Sequence, residues 1–156
     1  MPTVGMRPAL YPPHPGQLGF RDYGRFISDL TKALNSEATA IHFYHGLLGS
    51  AENDVQRSYI EHAYKDENRH LQMFIYLYRK LTGNEPVISR EKVSYGTFLA
   101  GIEKAIHSEL EAAELYRDMF LAVRLPKVRD ILFRAMTDEV EHAQRFNFIY
   151  TQLKAR

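Results

Sequence analysis

From Asp22 onward, apolar residues recur at alternating steps of four and three, the spacing that lines one face of an α-helix. Phe26, Leu30, Ala33, Ala40, Tyr44 and Leu47 make one such stripe, and Phe98, Ile102, Ala105, Ala112, Tyr116 and Met119 make another. Ile60, Ala63, Phe74, Leu77 and Leu81 form a third; Leu132, Ala135, Phe146, Ile149 and Leu153 form a fourth. Breaks fall near Gly49 to Asp54, at Thr82-Gly83-Asn84 and at Leu125-Pro126. Asp22 and Ser94 suit helix N-caps, Gly83 suits a stop and Pro126 suits a first helical position. The pattern predicts helices near 22–49, 53–82, 94–123 and 126–154, each roughly 40 Å long at about 1.5 Å per residue.

The second half of this pattern repeats the first. Shifted by 72 residues, 22–81 lies over 94–153 without a gap. Tyr23/Tyr95, Phe26/Phe98, Ser36/Ser108, Glu37/Glu109, Tyr44/Tyr116, Asp66/Asp138, Glu67/Glu139 and His70/His142 coincide. The expectation is an all-α four-helix bundle made of two duplicated helical hairpins. The link from Gly83 to Val93 exceeds the roughly 2 to 8 residues usual between adjacent bundle helices. Extended, it could reach roughly 36 Å at about 3.3 Å per residue, which favours a crossover along the bundle. Pro2, Pro8, Pro12, Pro13 and Pro15 cannot sustain a helix, so 1–21 is expected to be an extended arm and 22–156 the bundle domain.

At 156 residues the chain is about one domain long. Its net charge of +1, with 25% charged residues, points to neither a nucleic-acid nor an anionic-membrane partner. No apolar run approaches the roughly 18 residues of a spanning helix, and no basic-then-apolar leader opens the sequence, so a cytoplasmic location is expected. Cysteine is absent. That leaves no disulfide, thiolate nucleophile or Cys-ligated metal centre, and any metal is expected on oxygen and nitrogen.

Each apolar stripe is interrupted near mid-helix by residues unsuited to a core: Glu37, Glu109, Glu67 with His70, and Glu139 with His142. Uncompensated, buried carboxylates cost several kcal/mol each or take up protons. Glu67-Asn68-Arg69-His70 and Glu139-Val140-Glu141-His142 are both Glu-x-x-His, which places Glu and His on one helix face. One such string is weak evidence. Two of them, with one further Glu from each remaining helix and 30 residues between Glu37 and Glu67 as between Glu109 and Glu139, form a candidate two-metal site. Four carboxylates and two neutral imidazoles balance two divalent ions, and the donors suit iron or manganese.

Asp66 and Asp138, each one residue before a candidate ligand, are placed to accept a hydrogen bond from a ligand imidazole across the bundle, or else are solvated. Tyr44 and Tyr116 are expected to pack and to hydrogen-bond a ligand carboxylate. His42, His45, His62 and His107 have no histidine at their repeat positions and are expected at the surface or rim. Glu111, Glu114 and Glu141 fall off the inward stripes and are expected to be solvated.

In these residues, over 22–154, the chain resembles the ferritin-like superfamily, in particular rubrerythrin-type and bacterioferritin-type di-iron domains. The resemblance implies that Glu67 and Glu139 bridge two iron ions, Glu37 and Glu109 are terminal carboxylates, and His70 and His142 each cap one metal. It implies a di-iron oxidoreductase reacting with O₂ or H₂O₂, of ferroxidase or peroxidase type. The alternatives are iron binding or storage with little turnover, and a manganese catalase-like site. Without a Cys-rich rubredoxin-like module, electrons come from an external donor. Ala112 stands where many rubrerythrins carry a further Glu. The short spacing within each hairpin departs from cage-forming members, and a homodimer is expected.

Overall fold

The computed structural model describes residues 19–156, and most of the Pro-rich arm, 1–18, lies outside them. Four helices run in order: α1 (Tyr23–Leu48), α2 (Asp54–Thr82), α3 (Phe98–Leu121) and α4 (Pro126–Lys154). α1 packs on α2 and α3 on α4 as hairpins, and the hairpins meet through α1 with α3 and α2 with α4.

The helix ends follow local chemistry. The Asp22 carboxylate accepts from Arg25 N–H at 2.9 Å, and the Asn53 side chain accepts from Gln56 N–H at 2.9 Å, so two of the donors exposed at helix starts are satisfied. Pro126 opens α4, where a missing N–H costs nothing. Gly83 ends α2 in the left-handed conformation, φ 73°.

The start of α3 differs from the expectation. Thr97, not Ser94, is its N-cap and accepts from Ala100 N–H at 3.2 Å. Gly96 lies at φ 71°, a left-handed turn that a helix beginning at residue 94 could not contain. The other end of α3 is shorter too. Arg21 N–H donates to Ala122 at 2.8 Å and Arg124 N–H to Gly19 at 2.7 Å, flanking an antiparallel bridge between Phe20 and Val123. Those pairings draw 122–124 out of the helix.

The connection between α2 and α3 is a full crossover. Near one end Tyr23 donates to the Leu81 carbonyl at 2.6 Å. The strap then climbs along α1: Ser89 N–H donates to Asn35 at 2.8 Å and Glu91 N–H to Thr39 at 2.9 Å. It arrives at the far end of α1, where the rings of Tyr95 and Phe43 lie 5.5 Å apart. α3 therefore runs antiparallel to α1.

The four predicted stripes are the core, with Ala40, Leu81, Phe98 and Leu153 only partly buried at its margins. Two apolar clusters form. One holds Leu30, Phe74, Tyr116 and Leu132, and the other Tyr44, Ile60, Ile102 and Phe146. Burying each large side chain contributes about 1.5–3 kcal/mol, enough to hold a polar layer in place where the stripes are interrupted.

Candidate metal centre

That layer contains all six predicted residues. Glu37, Glu67, His70, Glu109, Glu139 and His142 are each at most 2% exposed. Ligand-capable atoms of Glu37, Glu67, His70 and Glu139 lie within 4.8 Å of one another, and so do those of Glu67, Glu109, Glu139 and His142. The two sets share Glu67 and Glu139. The geometry is thus a pair of adjacent four-residue clusters related by the internal repeat.

What the six side chains lack is as informative as where they stand. Glu37 Oε2, both oxygens of Glu67, Glu109 Oε2, Glu139 Oε1 and Nδ1 of both histidines are buried without a hydrogen-bond partner. Buried polar atoms are nearly always bonded, and each that is not carries a desolvation cost of about 1–3 kcal/mol. Seven such atoms gathered in one buried layer fit bound metal. A cavity of about 10 Å³ lies between them, bordered by Ser36 and Ser108. The same two serines line an outer groove beneath the crossover strap, with Asn35, Thr39, Ser89 and Glu91.

The surrounding residues fix the donors. His70 Nε2 lies 2.9 Å from Asp138 Oδ2, and His142 Nε2 lies 2.9 Å from Asp66 Oδ2. Held through Nε2 by the aspartate, each imidazole aims Nδ1 at the cluster, and on giving up its Nδ1 proton it is the tautomer a metal requires. The expected cross-bundle role of the two aspartates is thereby realised. Tyr44 and Tyr116 are fully buried, and their bonds are exchanged between repeats: Tyr44 donates to Glu109 Oε1 and Tyr116 to Glu37 Oε1. Each leaves the other oxygen of its glutamate free.

Protonation in the metal-free state follows from crowding. Burial, then the charges of Glu37 and Glu109, holds the Glu67 carboxyl well above the usual range. Burial, Glu109 and Glu67 do the same to Glu139. Burial opposes charge on Glu37 as well, but the neighbouring Glu67 and His70 outweigh it and lower that carboxyl. Burial would likewise lower both imidazoles. For His142 the Asp66 bond and the nearby Glu109 and Glu67 carboxylates prevail and push it up to about 12; His70 is raised for the same reason by Asp138 and Glu139. Burial, and then the Glu109 or Glu37 carboxylate, pushes the Tyr44 and Tyr116 phenols well up, so both remain neutral donors. The metal-free cluster stores protons where cations would otherwise sit.

His42, His45 and His107 are exposed, as expected, and so are Glu111 and Glu114. His62 is more than a rim residue. Its Nε2 lies 3.1 Å from Asp66 Oδ2 and 3.5 Å from Glu141 Oε1. It stands four residues before Asp66, a spacing that hints at contact, but it lacks a repeat counterpart.

Among known structures, this arrangement of four helices and a crossover is the ferritin-like bundle, and the chain has that fold. A ferritin-like, diiron-carboxylate protein of Bacillus anthracis str. Ames superposes with a TM-score of 0.74 at 19% identity, covering 82% of this chain and 96% of that one. The bacterioferritin of Desulfovibrio desulfuricans, whose structures describe its diiron site in different catalytic states, gives 0.70 at 21% identity over 85% and 82%. No family model matches the chain. It is 31% identical over 136 residues to the uncharacterized protein YhjR of Bacillus subtilis (strain 168), covering 87% of this chain and 94% of that protein, and it belongs to the same family.

Proposed function

We propose that the chain is a di-iron carboxylate oxidoreductase of the rubrerythrin or bacterioferritin type, which reduces O₂ or H₂O₂. The observation that carries this reading is the convergence of seven unbonded buried donor atoms from six side chains. Glu67 and Glu139, common to both clusters, would contribute to both metal positions; Glu37 with His70 and Glu109 with His142 would complete them. Ferrous iron held there would supply the electrons that reduce the oxidant.

The remaining work falls to the protein. Asp66 and Asp138 hold the imidazoles in one tautomer and one orientation. Tyr44 and Tyr116 fix the terminal carboxylates and place phenolic protons beside them. The apolar clusters above and below exclude bulk water. A cavity of about 10 Å³ is no larger than one water needs, which argues against an organic substrate, and Ser36 and Ser108 stand between it and the outer groove. The chain has no cysteine, so electrons for a second turnover come from an external donor.

The full chain, stripped of metal and titrated anaerobically with Fe²⁺, is expected to bind two ions and then change its absorption when O₂ or H₂O₂ is added. Stopped-flow rates with each oxidant distinguish ferroxidase from peroxidase chemistry. Metal content after growth with balanced iron and manganese tests the choice of iron. Uptake of fewer than two ions, or oxidation no faster than that of free Fe²⁺, would overturn the proposal.

A further inference from the structure

The two imidazole-to-aspartate bonds have the same length, yet what stands behind the aspartates differs. Asp66 is enclosed, its side chain 4% exposed. Arg69, three residues on, donates to Asp66 Oδ1, and His62 Nε2 lies 3.1 Å from Oδ2. His62 also reaches to 3.5 Å from Glu141 on α4. Glu141 is held in turn by Arg145 through bonds of 2.8 and 2.6 Å, and Arg145 lies 4.8 Å over the Tyr59 ring of α2. Asp66 thus belongs to a network that ties α2 to α4.

Asp138 has none of this. Its side chain is 22% exposed, and His70 is its one hydrogen-bond or ion-pair partner among the described residues. The reason lies in the repeat. Where Asp66 has Arg69 three residues on, Asp138 has Glu141, a carboxylate that cannot donate and repels it. Where Asp66 has His62 four residues before, Asp138 has the exposed Arg134. The repeat operation maps the His62–Glu141 contact onto Arg134 and Arg69, two cations, so no matching bridge can close.

We infer that the two metal positions are unequal: the one completed by His142 is the retained position, and the one completed by His70 is the exchangeable position. This rests on the metal-centre reading proposed above. An imidazole backed by a fixed carboxylate arrives already oriented, whereas one backed by a solvated carboxylate must be ordered by the metal itself. Arg69 does draw negative charge from Asp66 and so weakens His142 as a donor. Its side chain is 63% exposed, however, and that pull is screened by water. Orientation decides the order. Asp66 and Asp138 act here as positioning residues.

Anaerobic calorimetric titration of the metal-free full chain with Fe²⁺, with Co²⁺ absorption as a second readout, resolves the two positions. Two steps are expected, separated by roughly tenfold or more, the scale on which such orienting partners act. Asp66→Asn should weaken the tight step and Asp138→Asn only the weak one; a merely structural role would move both together. The double variant His62→Ala/Arg69→Ala, which leaves all six residues of the proposed centre in place, should bring the tight step towards the weak one, and it serves if Asp66→Asn does not fold. Two ions bound at equal affinity, or a tight step that moves with Asp138→Asn, would overturn the inference while leaving the metal centre intact. Absence of any uptake would overturn the metal centre itself.

Discussion

The α1–α2 and α3–α4 hairpins are copies inside and strangers outside. At the centre, Glu37, Tyr44, Asp66, Glu67 and His70 of the first have Glu109, Tyr116, Asp138, Glu139 and His142 in the second, and every one of these bonds or clusters like its counterpart. One layer further out the agreement ends: His62 and Arg69 face Arg134 and Glu141, and the polar Glu61 and Asn68 are replaced by the exposed Phe133 and Val140. The matched layer comprises the six candidate ligands and the side chains bonded directly to them, Tyr44 and Tyr116, Asp66 and Asp138. Beyond that layer the residues differ.

The sharpest way to break this comparison is at the shared carboxylates. Glu67 and Glu139 belong to both clusters, so Glu139→Ala or Glu67→Ala should abolish uptake of both ions, whereas Glu37→Ala or Glu109→Ala should remove one. Metal analysis after anaerobic loading and desalting checks the count. The metal-free Glu139→Ala protein should melt higher than its parent, because the substitution removes a carboxyl held protonated by burial.

Next in size is the response to pH. Glu67 and Glu139 have folded values raised above 4.5, and that of His142 is raised from 6.5 to about 12. Groups of this kind make stability depend on pH, greatest below the unfolded values and falling as pH climbs through the folded ones. Asp66, lowered from 3.8 to about 2 by His142, His62 and Arg69 against the opposing effect of burial, contributes in the opposite sense. Its share is present above 3.8 and vanishes as pH falls through about 2. Thermal melts should therefore show the metal-free chain losing stability from mild acid towards alkali. Metal binding displaces the stored protons, so affinity should rise with pH by about tenfold per unit for each proton released. Calorimetry in buffers of different ionisation enthalpy counts them.

A smaller effect tests the tyrosines. Tyr44→Phe and Tyr116→Phe each remove one bond to a terminal glutamate, and each should destabilise the fold by about 1–3 kcal/mol in denaturant unfolding. The two losses should be nearly equal, since these bonds belong to the symmetric layer. The contrast is with Asp66→Asn and Asp138→Asn, which lie at its edge.

Much of this was legible in the sequence because it depends on period and local spacing. The stripes, the repeat and the two Glu-x-x-His strings are short-range patterns, and a charged residue inside an apolar stripe is conspicuous. The crossover was legible from length alone. What could not be read is what depends on position across the bundle. The exchange of Tyr44 and Tyr116 between repeats requires α3 to run antiparallel to α1, and His62 becomes important only because Glu141 of α4 lies beside it. Asp66 and Asp138 occupy equivalent sequence positions, and only packing separates the enclosed one from the exposed one.

The start of α3 shows the same limit on a local scale, and it yields the smallest expected effect. Ser94 and Thr97 are both residues that cap helices, and both precede the apolar stripe beginning at Phe98. Backbone conformation separates them. Gly96 turns left-handed, Thr97 is extended at φ −106° and ψ 156°, and only Thr97 accepts from a first-turn N–H. Thr97→Ala should therefore cost about 1 kcal/mol in denaturant unfolding, while Ser94→Ala should cost nearly nothing. Asp22→Ala, at the matching start of α1, should cost about as much as Thr97→Ala. If Ser94→Ala proved the more costly, the helix would begin where its repeat partner does. The hairpins would then be alike at their caps as well as at their centre.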